Sequence, residues 1–278
     1  MKNKIIIGTA NFFNDYGLFK NKVNHKEVYL IKKYLKEKKF LLDTSFNYRN
    51  LAKLFKVFTN YSKYIIKISL NKKNKNKLEK IFQNLKLKHN IKKKFYAILL
   101  HNTEILKTKE GRKIYQELYK LKKKVAKKVG ISTYGAENIE FLQKKKLKFD
   151  MIQTNGNILD NRFFQFLKTN RKIKFKEIHI RSIFLQGLLL YKKIPKKFKN
   201  HFHNINQIKI FSKRNNLSVL DLLIYHVYKY EMHGMVFGVK NKSEIAEIFN
   251  SIKKIKKIKK LEYNYSNSNL SLIDPRRW

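Results

Sequence analysis

The chain has 278 residues, 43% of them hydrophobic and 14% aromatic, and it carries a formal net charge of +46. This hydrophobic content excludes a disordered basic tail, and the lack of any apolar run of 18 residues predicts no transmembrane helix. There is no cysteine, which excludes disulfides, thiolate nucleophiles and cysteine-ligated metals. The reducing cytoplasm is therefore the predicted location, and no metal site is predicted.

Short apolar segments predict eight β-strands, at 4–8, 40–44, 64–69, 95–101, 127–132, 149–155, 178–184 and 234–239. Their near-continuous hydrophobicity is typical of a parallel sheet that is buried on both faces. Between them lie amphipathic helical segments, among them 77–88, 111–124, 136–146 and 218–230. Eight such units predict an α/β fold consisting of a single (β/α)8 TIM barrel over residues 1–260.

Two segments depart from this repeat. Residues 188–217 predict an extended loop with an extra helix, which either covers a substrate or forms a solvated connection. Residues 261–278 form a polar C-terminal tail, for which we expect partial order at best. The lysine-rich stretch at 252–260 is interpreted as part of a last barrel helix with a basic outer face rather than as a polyanion clamp, because isoleucines recur there at helical spacing.

The basic residues are mostly lysine, with 57 lysines against eight arginines. They are dispersed over nearly every predicted helix, whereas recognition of phosphates and bases favours arginine, whose planar fork binds two oxygens at once. This pattern favours a compositional bias over a specific nucleic-acid surface. So large a charge would still attract polyanions non-specifically.

Four polar residues lie at or near the ends of consecutive predicted strands: Asp43, Tyr48, Lys67 and His101. Adjacent strand ends are about 4.8 Å apart, so these side chains are expected to meet at one end of the barrel. An ammonium next to a phenol favours its anion, a carboxylate holds the ammonium, and an imidazole can fix a carbonyl oxygen. Taken singly, Asp43 could cap a helix and His101 could be a core histidine. Together the four residues predict protonation of a carbonyl that is being reduced.

The segments that carry these residues resemble the aldo-keto reductase family over residues 4–250. The matching segments are GTANFFNDYG (8–17), LLDTSFNY (41–48), IIKIS (65–69), LLHN (99–102), KVGISTYG (128–135), MIQTNGNILDNRF (151–163), RSIFLQGLLL (181–190) and FGVKNKSEIAEIF (237–249). The resemblance implies that Tyr48 is the general acid, that Lys67 and Asp43 adjust its acidity, and that His101 orients the carbonyl. It also implies NADP or NAD as the cofactor, bound across the barrel mouth without a Gly-rich Rossmann turn, and no GxGxxG motif is present.

The resemblance assigns cofactor contacts as well. Ser132 and Gln153 match residues that face the nicotinamide carboxamide, and Arg181 stands where many members stack a tyrosine on the nicotinamide ring. Thr133 stands where the family usually has asparagine, and Glu244 stands where many NADPH users have arginine. The predicted cofactor-binding residues are Gly8, Thr9, Ala10, Ser132, Gln153, Arg181, Ser182, Gly187, Gly238, Val239, Lys240, Lys242 and Glu244.

The predicted function is NAD(P)H-dependent reduction of an aldehyde, ketone or sugar carbonyl, or the reverse reaction, on a small-molecule substrate. The FLQGLLL block resembles bacterial members that act on sugar-like substrates. Glu244 would repel a 2′-phosphate and the lysines at 240 and 242 would attract it, so both dinucleotides stay candidates. The alternative is a non-catalytic barrel of the same type that serves as a binding or regulatory subunit and associates with polyanions through its charge.

Overall fold

The computed structural model describes residues 4–20, 22–61, 63–71, 78–170, 176–191 and 193–278. Within these ranges, eight parallel strands form a closed barrel in chain order, with the first strand paired to the last. The strands are β1 (Lys4–Gly8), β2 (Leu41–Ser45), β3 (Tyr64–Ile68), β4 (Phe95–Leu100), β5 (Ala126–Thr133), β6 (Met151–Asn155), β7 (Ile178–Arg181) and β8 (Gly234–Gly238). The predicted (β/α)8 TIM barrel is thereby confirmed.

Helices alternate with the strands and cover the barrel. They are α1 (His25–Leu35), α2 (Leu51–Val57), α3 (Leu78–Lys88), α4 (Lys109–Lys120), α5 (Lys122–Val125), α6 (Glu137–Lys144), α7 (Arg162–Thr169), α8 (Phe202–Arg214), α9 (Val219–Tyr228), α10 (Lys242–Ile255) and α11 (Leu270–Ile273). The helix predicted at 111–124 is divided at Leu121, and Lys77, the first residue of the helix predicted at 77–88, lies outside the described residues. Among the described residues, no helix has the length and apolarity that crossing a membrane requires.

The barrel interior is filled in layers. Alternate residues of a strand point to the same side of a sheet, so one set of side chains from each strand faces the barrel axis. An apolar layer there consists of Ile6, Leu41, Ile65, Ala97, Leu99 and Met151, all buried. Two residues further along their strands come Asp43, Lys67 and Gln153, which are also buried. A polar layer therefore lies on the apolar layer, towards the carboxyl ends of the strands.

Gly130 allows β5 and β6 to pair closely. A Cβ atom at this position would lie 1.9 Å from the carbonyl oxygen of Met151, so no residue with a side chain fits without moving the backbone. The register that follows sets Ser132 of β5 opposite Gln153 of β6. A glycine in the middle of a strand thus helps to align two residues of the polar layer.

Six of the eight predicted strand ends differ from the observed carboxyl ends, and two of these differences bear on the site. Strand β2 continues to Ser45, so Asp43 lies in its middle rather than at its end. Strand β7 stops at Arg181 instead of 184, because Ser182 has φ 61°, and Leu185 and Gln186 have φ 48° and 53°. Such left-handed backbone cannot continue a strand. It turns the chain back over the barrel mouth directly after Arg181.

The insertion between β7 and β8 contains the extra helix that the sequence predicts, α8, preceded by 3-10 turns at Leu185–Leu190 and Lys196–His201. Part of the C-terminal tail is buried. Leu272 and Ile273 are 0% and 1% exposed and pack in an apolar cluster with residues of the insertion, including Leu188 and Ile205. The basic stretch belongs partly to α10, whose buried face includes Ile248 and Ile252. The insertion and the tail therefore pack on each other.

Candidate active site

A buried ion pair lies at the centre of the polar layer. The Lys67 ammonium donates to Oδ1 of Asp43, and the two side chains are only 6% and 5% exposed. The other carboxylate oxygen, Oδ2, accepts a 2.8 Å hydrogen bond from Nε2 of Gln153. The hydroxyl of Ser132 donates to Oε1 of Gln153 at 3.5 Å. A line of hydrogen bonds therefore crosses the barrel from β5 to β3, with each charge matched by a partner.

Tyr48 lies in the turn between β2 and α2. Its backbone N–H donates to the carbonyl of Ser45 at 3.1 Å, and its carbonyl accepts from the first residue of α2 at 3.2 Å. Burial and the Asp43 carboxylate raise the pKa of the phenol, and the Arg181 guanidinium lowers it only in part. The pKa of the phenol is thus raised where the sequence predicts a net lowering, because burial dominates and the Asp43 carboxylate adds to it. Tyr48 is therefore protonated at neutral pH.

His101 follows the last residue of β4. Its backbone N–H donates to the carbonyl of Ile68 at 2.8 Å, which fixes the start of the loop, while its side chain is exposed at the barrel mouth. Partial desolvation, Lys67 and Arg181 lower its pKa to about 4. The imidazole is therefore neutral at physiological pH and can act as a neutral hydrogen-bond partner.

A second phenol reaches the same region, which the sequence interpretation missed. Tyr16 lies in the loop after β1, and burial together with Tyr48 and Tyr134 raises its pKa to about 12. Lys67 and Arg181 oppose that shift, so the Tyr16 hydroxyl lies within electrostatic reach of the polar layer. Its presence in the segment GTANFFNDYG was the available signal, since loops after the strands build the mouth of a barrel.

Arg181 takes part in a stacked arrangement with a tyrosine and a second arginine. Its guanidinium carbon lies 3.9 Å from the ring centre of Tyr134, and that of Arg276 lies 3.8 Å from the same ring. Arg181 also donates to the Thr133 carbonyl at 3.0 Å and to the Ser182 hydroxyl at 3.4 Å. Arg276 comes from the tail, so its part in the mouth could not be predicted from local sequence.

One cavity of about 470 Å³ connects Tyr48 to the start of α10. It brings together thirteen of the predicted site residues: Gly8, Thr9, Ala10, Asp43, Tyr48, Lys67, Arg181, Ser182, Gly187, Gly238, Val239, Lys240 and Glu244. The other four predicted residues do not line it. Ser132 and Gln153 lie buried in the polar layer, His101 is at the mouth, and Lys242 is exposed at the first turn of α10. Residues of the cavity that the prediction missed include Tyr16, Gln186, Tyr191 and Glu247.

Aromatic contact between two loops borders this cavity. Phe19 of the loop after β1 stacks on Tyr191 of the insertion, with ring centres 3.9 Å apart and an interplanar angle of 16°. Both residues line the cavity. The start of the insertion thus belongs to the wall of the cavity, whereas His203, further along, lies in a separate groove beside Tyr263.

The far end of the cavity carries two carboxylates. Glu244 accepts a 2.7 Å hydrogen bond from the backbone N–H of Lys240, and its other oxygen lies 3.5 Å from the Lys240 ammonium. Asn241 caps α10 by accepting from the N–H of Glu244 at 2.9 Å. Glu247, one turn further along α10, also lines the cavity and accepts from the Ser243 hydroxyl at 3.3 Å. One lysine and two carboxylates therefore meet at this end.

No protein-family model and no curated protein matches the sequence. Solved structures do match the fold. An aldo-keto reductase of Bacillus halodurans, in its holo form, is 14% identical with a TM-score of 0.69, covering 93% of this chain and 88% of that one. The glycerol dehydrogenase of Gluconobacter oxydans is 16% identical with a TM-score of 0.65, covering 99% and 93%. The aldose reductase of Schistosoma japonicum is 13% identical with a TM-score of 0.61, covering 96% and 91%.

The fold is that of the aldo-keto reductases. The resemblance found in the sequence is thereby confirmed at the level of the fold. In the barrel of this chain, the residues predicted from the sequence motifs lie in the carboxyl-terminal halves of several different strands and in the loops that follow them. That is the end at which TIM barrels carry their active sites.

Proposed function

We propose that this protein is an aldo-keto reductase that reduces an aldehyde, ketone or sugar carbonyl with hydride from NADH or NADPH. The observation that carries the proposal is the position of Tyr48, a protonated phenol that shares one cavity with the buried Lys67–Asp43 pair. A carbonyl oxygen that gains negative charge needs a proton donor, and a phenol that lines the same cavity as Lys67 and Arg181 can serve as one.

The shape of the cavity supports a dinucleotide. Its lining runs from Tyr48 to the start of α10 and includes Gly8 and Gly238, and an added Cβ atom at Gly238 would meet nothing within 4 Å. An extended ligand could therefore approach the main chain closely at the β8 end. Bound there, the reduced nicotinamide would supply the hydride. Gly238, Val239 and Lys240 would hold its adenosine end, and Arg181 and Ser182 would lie nearer the reacting end.

The chain's own residues would act on the proton. Tyr48 would donate its hydroxyl proton to the carbonyl oxygen as the alcohol forms, and a proton from solvent would restore the phenol. Lys67 would stabilise the transient phenolate, while Asp43 and Gln153 would keep the ammonium in place. His101, neutral at physiological pH, would donate a hydrogen bond to the same oxygen. In the reverse direction Tyr48 would first lose its proton to solvent, and the phenolate would then accept the hydroxyl proton of the alcohol.

The test is dinucleotide titration followed by turnover. Tyr48→Phe should reduce carbonyl turnover by about 100- to 10,000-fold, the range for losing a general acid, while the Kd for NADH or NADPH stays within about twofold. Tyr29→Phe is the matched control, because Tyr29 lies on α1 and is 61% exposed. Turnover of the Tyr16→Phe variant tests whether the second phenol is the proton donor.

If turnover is lost in Tyr16→Phe but not in Tyr48→Phe, the proton donor is Tyr16, and the role proposed for Tyr48 is wrong. Dinucleotide binding without turnover of any aldehyde, ketone or sugar would favour the non-catalytic barrel instead. A folded protein that binds neither dinucleotide at low salt would contradict the proposed function altogether.

A further inference from the structure

Among the described residues, three cationic side chains line the cavity, and two of them have a carboxylate partner. Lys67 pairs with Asp43, and the Lys240 ammonium lies 3.5 Å from a carboxylate oxygen of Glu244. The third is Arg181. Over the described ranges, no carboxylate lies within ion-pair distance of its guanidinium, and its acceptors are the Thr133 carbonyl and the Ser182 hydroxyl.

Arg181 has donors to spare and faces the cavity. A guanidinium carries five N–H groups, and these two hydrogen bonds use two of them. Arg181 lines the same cavity as Tyr48 and lies close enough to act on the pKa of that phenol. An anionic group bound to Arg181 would therefore sit next to the proposed proton donor.

The Tyr134 ring holds this guanidinium in place. Arg181 and Arg276 each lie within 4 Å of the ring centre, and two guanidinium groups do not fit on one face at such distances, so the ring is sandwiched between them. Arg276 is fixed in turn by Asp274, with Nε–Oδ1 and Nη2–Oδ2 distances of 2.9 and 2.6 Å. A guanidinium held in a fixed plane suits binding of a planar carboxylate or a phosphate through two hydrogen bonds.

We propose that Arg181 binds a carboxylate or phosphate carried by the carbonyl substrate, and that Tyr134 and Arg276 act as positioning residues for it. This inference rests on the proposed function and narrows its substrate class to anionic carbonyl compounds. Neutral aldehydes of the same size would lack the charged contact and would be reduced less efficiently.

The test compares anionic aldehydes with matched neutral ones at saturating dinucleotide. One pair is 4-carboxybenzaldehyde and its methyl ester, and the other is glyceraldehyde 3-phosphate and glyceraldehyde. We expect kcat/KM to favour the anionic member of at least one pair, and the pair that responds identifies carboxylate or phosphate. In Arg181→Gln that preference should fall by about 10- to 100-fold, as expected for losing hydrogen bonds to a charged group, and Arg181→Lys should retain part of it.

The positioning role has its own readout. Arg276→Gln should raise KM for the anionic aldehyde with little change in kcat, and it should leave KM for the neutral one nearly unchanged. Arg277→Gln is the matched control, since Arg277 is the exposed neighbour and does not reach Tyr134. If Arg276→Gln only damaged the structure, the KM values for the anionic and the neutral aldehyde would change together.

Three outcomes would overturn the inference. Equal kcat/KM within both pairs would show that the mouth does not select charge, with the proposed function intact. A weaker Kd for the dinucleotide in Arg181→Gln, with both members of a pair affected equally, would assign Arg181 to the cofactor. Turnover of none of the four aldehydes, or of any other carbonyl compound, would remove the proposed function and the inference with it.

Discussion

The amide nitrogen of Gln153 donates a 2.8 Å hydrogen bond to Oδ2 of Asp43, across the barrel from β6 to β2. With Lys67 on the other oxygen, both acceptors of this buried carboxylate are satisfied. The resemblance predicts a contact between Gln153 and the nicotinamide amide, and its Nε2 already has a partner within the protein. Gln153 therefore helps to hold the Asp43 carboxylate in place for the ion pair.

Replacing Gln153 should weaken that support. Gln153→Leu leaves Oδ2 of Asp43 buried without its donor, and the free energy of unfolding should fall by about 1–3 kcal/mol. Urea unfolding followed by circular dichroism measures the change. Gln165→Leu, at an exposed position of α7, is the control. Equal stability of the two variants would mean that the hydrogen bond contributes nothing.

The Lys67–Asp43 pair should show strong coupling. Lys67→Met leaves a buried carboxylate without its counter-ion and should lower the free energy of unfolding by about 3–5 kcal/mol. Asp43→Asn should also destabilise, because the ammonium loses its partner. The double variant should cost less than the sum of the single ones, by more than about 1 kcal/mol. Simple additivity in this double-mutant cycle would contradict a direct ion pair.

Two buried histidines should make the fold sensitive to acid. Burial lowers the pKa of His179 and of His226 to about 3 each, with Lys4 and Lys229 adding to the effect. Unfolded histidine has a pKa near 6.5, so between about pH 6.5 and 3 the unfolded state binds more protons. Stability should therefore be full above about pH 6.5 and fall by up to about 1.4 kcal/mol per pH unit for each histidine below it.

His226→Gln checks this pH dependence. The neutral ring of His226 donates from Nε2 to Oδ1 of Asn161 at 2.7 Å and accepts at Nδ1 from the Tyr263 hydroxyl at 3.1 Å, and glutamine keeps hydrogen-bonding groups without titrating. The variant should lose less stability than the unmodified protein between pH 7.5 and 5.5 in urea unfolding. His203→Gln, at an exposed site, should leave the slope unchanged. A slope that is the same in all three proteins would show that His226 is not a source of it.

The buried part of the tail should contribute to stability. Ile273 is 1% exposed, and Ile273→Ala should leave a cavity and lower the free energy of unfolding by about 2–5 kcal/mol. Leu87→Ala provides the comparison, since Leu87 is 79% exposed on α3. A tail that only rests on the surface would give two equally stable variants.

The two carboxylates at the α10 end of the cavity should affect the choice of dinucleotide. A 2′-phosphate placed near Glu244 and Glu247 would be repelled, so we expect NADH to bind more tightly than NADPH. Glu244→Gln keeps an acceptor for the Lys240 N–H while removing the charge, and should improve NADPH binding relative to NADH by about tenfold. Glu262→Gln is the control for a change of net charge alone, because Glu262 is exposed and pairs with Lys260.

Much of the fold followed from the sequence because a parallel barrel leaves a strong local pattern. All eight strands were found, since a strand buried on both faces has almost no polar residues to interrupt it. The ends were less accurate at β7, where the left-handed Ser182 stops a segment whose residues remain apolar. The sign of a φ angle cannot be read from the hydrophobicity of the residues.

The site was predicted in part, for a different reason. Asp43 and Lys67 sit on inward positions of neighbouring strands, so the alternation of a strand brings them together. The direction of the Tyr48 pKa shift depends on what is desolvated around it and could not be predicted from the sequence. Arg276 meets Tyr134 only through the packing of the tail, a long-range contact that leaves no periodic signal.

Neighbouring residues of the C-terminal tail have different roles. Leu272 and Ile273 anchor it in an apolar cluster, and Arg276, three residues on, reaches the mouth. The barrel closes through β1 and β8 without any of these residues. Under the proposal for Arg181, exchanging residues 274–276 would therefore change the preference for a substrate while Leu272 and Ile273 keep the tail in place. The eight strands would then stay unchanged while the end of the chain varies.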